Sequence, residues 1–151
     1  MTTRLILASL HLVALGIGLG AVWGRARAAS LVSRNATDDR LVRRVLAPDT
    51  WWGAAAILWL VTGLWRLFAS TEKTTTYYLT NDVFYAKMGL FVLILLLEIW
   101  PMVTLIRWRT GKAKPTTRAA GRIAIISYIE SLLVVAIVLA AVSMARGLGA
   151  R

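Results

Sequence analysis

The sequence predicts an all-α integral membrane protein, a four-helix bundle that crosses the bilayer four times with both termini outside (N-out/C-out). Three observations predict it. The chain of 151 residues is 58% hydrophobic with a mean hydropathy of +0.67, too apolar for a soluble domain of that length. Its apolar residues gather into four stretches near the roughly 20 residues needed to cross a hydrocarbon layer. Its basic residues gather between those stretches. Lipid cannot hydrogen-bond an open backbone, so each stretch must be a helix unless a barrel closes, and the period-2 alternation of barrel strands is missing.

The first span is expected at about residues 5–23, interrupted only by His11. It is longer than a secretory h-region and lacks a small-x-small cleavage site, so we read it as a retained helix rather than a signal peptide. Gly16, Gly20 and Gly24 recur at four-residue spacing along it, a smooth face for a neighbouring helix. The second span is expected at about 51–68, with Asp49 and Thr50 placed to cap its start and Arg66 near its end. The third, about 83–106, carries Lys87, Glu98 and Pro101, and the proline should bend it near its end. The fourth, about 123–145, carries Glu130. A single transmembrane domain accounts for residues 1–151.

Charge orients the bundle. Twelve basic residues lie in the segments after the first and third spans, from Arg25 to Arg44 and from Arg107 to Arg122, against five on the opposite side, Arg4, Arg66, Lys73, Arg146 and Arg151. The positive-inside rule makes the richer side cytoplasmic, the orientation expected of a multi-pass protein of a cytoplasmic membrane. A net charge of +11 confined to interhelical segments points to anionic lipid headgroups rather than nucleic acid. Trp23, Trp51, Trp52 and Trp108 are expected to anchor the cytoplasmic interface, and Trp65, Tyr77, Tyr78 and Tyr85 the outer one. The absence of cysteine excludes disulfides and thiolate chemistry. No phosphate loop, nucleophile elbow, zinc motif or paired catalytic carboxylates are present.

Ionisable residues inside the spans are the candidate functional groups. At 1.5 Å per residue, His11 lies about 9 Å below the outer start of its helix and Lys87 about 6 Å below the start of the third. Those two should share an outer layer, where Arg66 and the stretch from Trp59 to Trp65 either line a pocket or anchor the interface. Glu98 lies about three turns deeper than Lys87 on the same face, and Glu130 about 10 Å in from the opposite end. The two carboxylates should form an inner layer within reach of Arg25 or Arg27 if these fold back. Each residue has a simpler role as well: His11 as a hydrogen-bonding side chain between helices, Lys87 snorkelling to the interface, and Glu98 and Glu130 paired with arginine.

The segments HLVALGIGLGAVWGRARA, DTWWGAAAILWLVTGLWR and YAKMGLFVLILLLEIWPMVTLIRWR resemble a bacterial family of predicted membrane proteins of unknown function, over nearly the whole chain. More distantly, the pattern is similar to the superfamily of CopD-like copper-resistance proteins and HemJ-type protoporphyrinogen oxidases. That resemblance implies a haem or porphyrin cofactor, with His11 as iron ligand, Lys87 in the porphyrin site and Arg25 as a propionate or carboxylate partner. The single histidine departs from bis-His ligation within one chain, and Met1, Met88, Met102 and Met144 are too scattered for copper.

Three functions follow as expectations. One is a haem- or porphyrin-associated protein using His11 and Lys87. Another is a structural or accessory membrane subunit, assembling as a homo-oligomer or with a partner through the glycine face. The last is a small proton-coupled carrier using Glu98 and Glu130, which no discontinuous helix or repeated half supports.

Overall fold

The computed structural model describes residues 2–68 and 75–149. Lys73 and Arg151, counted above among the basic residues, lie outside the described residues, as does Met1. Among the described residues five helices follow one another: α1 (Thr2–Val32), α2 (Asp39–Phe68), the short α3 (Thr75–Leu79), α4 (Asp82–Arg109) and α5 (Thr117–Ala145). No strand occurs among the described residues. α1, α2, α4 and α5 are each long and apolar enough to cross a membrane, and each contains one of the four expected spans.

The helices outrun the apolar stretches most at the arginine-rich end. The segment from Gly24 to Thr50, expected as a loop, is helical up to Val32 and again from Asp39. The turn between α1 and α2 therefore occupies only residues 33–38. Val42 and Val45 are buried one turn apart and join Ala29, Val32, Leu105, Trp108, Ala120 and Ile123 in a core layer, so packing carries both helices past the hydrophobic limit. Cap chemistry moves accordingly. Asp38 precedes α2 and its carboxylate accepts from the Arg40 N–H at 2.8 Å, the N-cap geometry. Asp49, expected to hold that place, instead lies within α2.

α1 is the central helix. It packs along α2 on one side and α5 on the other, and α5 packs on α4. The ring closes between α2 and α4 through long side chains: Trp59 meets Phe91 edge-on at 5.4 Å, Trp52 reaches Glu98 and Arg109 reaches Asp49. A second core layer of Val22, Trp52, Ile94, Val134 and Ile137 fills the middle. Trp52 and Trp108 are thus core residues rather than interface anchors, whereas Trp23, Trp51, Trp65 and Tyr85 are exposed. The outward surface is dense in exposed Leu, Ile and Val, the reverse of a soluble bundle and the surface a lipid solvent favours.

The expected glycine face is not an internal packing face along its length. A methyl group at Gly16 or Gly20 would meet nothing within 4 Å, and one at Gly24 would touch only Pro48. Gly18 is the close-approach position, with Trp52 3.3 Å from where its Cβ would stand.

The end carrying both termini is tied by hydrogen bonds. Asn81 caps α4, accepting from the Val83 and Phe84 amides, and its side-chain amide donates to the Leu148 carbonyl at 3.2 Å. Asp82 N–H donates to Gly149 O at 3.0 Å, and the Tyr77 hydroxyl donates to Met144 O at 3.0 Å. Tyr78 is buried, so this pair of tyrosines holds α3 on the bundle instead of anchoring it in the interface.

Candidate functional site

Arg25 sits on the buried stripe of α1, between Val22, Ala26 and Ala29, and is fully buried itself. Its helix continues unbroken past it, so it reaches the inner layer from its own turn without folding back; Arg27 is exposed. The guanidinium spends every N–H on the other three long helices. Nε donates to Ser127 Oγ at 2.9 Å on α5. Nη1 donates to Asp49 Oδ1 at 2.9 Å on α2 and to Glu98 Oε1 at 2.7 Å on α4. Nη2 donates to Glu98 Oε2 at 2.6 Å and to Glu130 Oε2 at 2.7 Å on α5. Five donors in a planar fork is the full capacity of arginine, and the two-pronged contact with Glu98 is the strong geometry for this pair. Lysine, with one nitrogen, could not reproduce it.

The carboxylates are held in turn. Glu98 Oε2 also accepts from the Trp52 indole N–H at 3.0 Å. Asp49 Oδ2 accepts from Arg109 Nη2 at 2.9 Å, and the same nitrogen donates to Leu46 O and Thr50 Oγ1. Glu130 is fully buried, and its Oε1 has no hydrogen-bond partner. Three carboxylates therefore face two guanidiniums, in surroundings where water is scarce and Coulomb attraction is stronger than at a surface.

The sequence signals for this cluster were partial. Glu98 and Glu130 stand out as acids within apolar spans, and both do lie against Arg25. Asp49, Arg109 and Ser127 were missed as members: the first reads as a cap, the second as a loop cation, the third as an ordinary small residue. Spacing held a clue, since Asp49 and Trp52 lie three apart on α2 and Ser127 and Glu130 three apart on α5, which places each pair on one helix face.

The outer polar residues are arranged otherwise. His11 Nδ1 lies 2.9 Å from Thr62 Oγ1. Thr62 donates its hydroxyl proton to Leu58 O at 2.7 Å, so the imidazole must be the donor, with the Nδ1–H tautomer assigned from the network. The ring stands 5.6 Å from that of Trp59 and over Gly63, where a Cβ would come within 3.2 Å of His11 Cε1. The Trp59 indole N–H is buried without a hydrogen-bond partner. Lys87 is half-buried, with its ammonium 5.4 Å from the centre of the Phe84 ring one turn earlier on α4, a cation–π distance. Arg25, which the resemblance would place beside a porphyrin carboxylate, has its whole donor set engaged by the protein. Among the described residues, no three His, Asp or Glu side chains are grouped so as to hold a metal ion.

Shallow clefts lie between neighbouring helices of the described residues. One of about 320 Å³ runs between α1 and α2 beside Ile17, Gly20, Gly24, Pro48 and Trp51. Another, of about 280 Å³, lies between α4 and α5 and is lined by Trp100, Arg122, Ile125 and Ile126.

No curated protein and no solved structure matches the chain. A family model described as "Predicted membrane protein (DUF2214)" matches residues 3–149. Four membrane-length apolar helices over that same stretch agree with its description, and the chain belongs to the DUF2214 family of predicted membrane proteins.

Proposed function

We propose that the protein is an accessory subunit of the bacterial inner membrane, a non-enzymatic four-span scaffold with its arginine-rich end in the cytoplasm. The observation that carries this reading is the saturation of Arg25: all five N–H groups are donated to residues of α2, α4 and α5. A substrate site needs accessible polar valence; Arg25 has none left, and the open valence in its cluster, Glu130 Oε1, belongs to a fully buried side chain. Such a cluster joins four helices in one register, because each partner helix must present its polar group at the same depth. The test is mild-detergent affinity purification of the full chain from its native membrane. The expected result is a membrane protein retained in fixed ratio; recovery of this chain by itself at every detergent tested would overturn the reading.

A second reading, haem or porphyrin association, is favoured by the arrangement at His11. Nδ1–H is donated to Thr62, and this hydrogen bond orients the ring as in metal-ligating histidines. The unpartnered Trp59 N–H nearby would meet a ligand carrying an acceptor. These features fit an axial nitrogen; Arg25 does not fit as a propionate partner, and neither cleft is lined by His11. When bound, haem would supply electron transfer, and His11, oriented by Thr62, would hold it. A Soret band in protein reconstituted with haem, shifted by His11→Ala, is the expected result; no band, or an unchanged one in the variant, counts against it.

A further inference from the structure

We propose that the cleft between α4 and α5 at the arginine-rich end is a binding site for one anionic phospholipid, its phosphate held by Arg118 and Arg122 and an acyl chain laid against Trp100, Ile125 and Ile126. Arg118, Arg122 and Ile126 follow at four-residue spacing along α5 and so form one ridge. Arg122 lines the cleft together with the three apolar side chains. It immediately precedes the apolar run of α5, and Trp100 lies about two turns inside the end of α4. A cation at the rim and apolar walls below it match the layout of a lipid at the membrane surface.

The charge at this helix end supports the assignment independently. The first turn of α5 contains no acidic residue, and Arg118 stands within it. The N-terminus of a helix carries partial positive charge that favours anions and disfavours arginine. Neither Arg118 nor Arg122 has an acidic partner among the described residues, and Thr116 satisfies only the Ala119 amide there, at 3.2 Å. Positive side chains on a positive helix end, without a counter-ion among the described residues, are compensated by a phosphate of the bilayer.

The experiment is native mass spectrometry of the full chain in detergent supplied with equal phosphatidylglycerol and phosphatidylcholine. The expected result is about tenfold preferential retention of one phosphatidylglycerol. The preference is lost in Arg118→Gln/Arg122→Gln and weakened in Ile125→Trp, which fills the cleft without altering charge. It is kept in Arg40→Gln/Arg43→Gln, which removes equal charge from the same end of the bundle. Circular dichroism and melting curves identify any variant that fails to fold, and the wild-type preference alone already tests the proposal. Equal retention of both lipids by the wild type overturns it. So does an equal loss in the two double-arginine variants, which would mean diffuse attraction, and so does displacement of the lipid by millimolar inorganic phosphate, which would mean a free-anion site.

Discussion

Arg25 and Glu98 form a two-pronged ion pair, Nη1 to Oε1 at 2.7 Å and Nη2 to Oε2 at 2.6 Å, across the diagonal of the bundle from α1 to α4. Two helices that meet little through their backbones are thereby tied at one depth, and the remaining donors of the same guanidinium tie α2 and α5 to them.

The three carboxylates should not be equivalent. Glu98→Gln loses half of the fork and the charge opposite a fully buried guanidinium, and should destabilise the fold by about 3 kcal/mol. Glu130→Gln should cost less than half as much, because Glu130 contributes one oxygen to Arg25 while the other has no partner, and two carboxylates then face two guanidiniums. Thermal melts in detergent followed by circular dichroism check the order. Equal losses would mean that the fork with Glu98 has no special weight.

Arg25→Lys keeps the charge and loses the geometry. One ammonium offers three donors from a single nitrogen, so at least two of the five present contacts are forfeited. The variant should fold with a clearly lowered melting temperature, whereas Arg25→Met, leaving buried carboxylates without their cation, should fail to accumulate in the membrane. Comparable expression and melting of the two variants would contradict the cluster's role.

The glycines of α1 divide by what stands opposite. Gly20→Ala should be neutral or stabilise α1 by up to about 1 kcal/mol, since its Cβ meets nothing. Gly18→Leu should displace Trp52 and with it the hydrogen bond to Glu98, at a cost of about 1–3 kcal/mol from overpacking. Tryptophan fluorescence and melting temperature together distinguish the two.

At the other end, Gly149 has φ 78° and a Cβ there would come within 2.6 Å of Val83 Cγ2. Gly149→Ala should therefore release the C-terminal turn from Asp82 and Asn81 and speed its removal in limited proteolysis, with the melting of the bundle little changed.

His11 is placed by α2. Thr62→Val removes the acceptor of the imidazole N–H and should destabilise by about 1 kcal/mol or somewhat more. Gly63→Ala should be felt at the same ring, because its methyl approaches Cε1 to 3.2 Å. Histidine Nδ1 and Nε2 chemical shifts, read by NMR on selectively labelled protein, should move in both variants and remain unchanged in Gly89→Ala, a position with open space around it.

Much of this architecture was legible beforehand because hydrocarbon permits few alternatives. Apolar length located the four long helices, the segregation of arginines marked one end of the bundle, and the rarity of acids in apolar spans singled out Glu98 and Glu130. What was misplaced followed from reading charge as loop. Residues 39–50 carry three arginines and two aspartates, a polar pattern dense enough to resemble a linker, yet Val42 and Val45 bury one face of that segment and make it helix. Trp52, Trp108 and Tyr78 were read as interface anchors because composition reports affinity for an interface and not the direction in which a ring points.

Hydropathy and charge are sums along the chain, so sequence alone was enough to decide the number of membrane-length helices and which end of the bundle is basic. Which arginine enters the interior depended on the rotation of each helix about its axis, and that is decided where helices meet. Arg25 and Arg27 are two residues apart and chemically identical, but two residues on a helix are turned by about 200°. Packing against α2 and α5 turned Arg25 inward to three carboxylates and left Arg27 exposed.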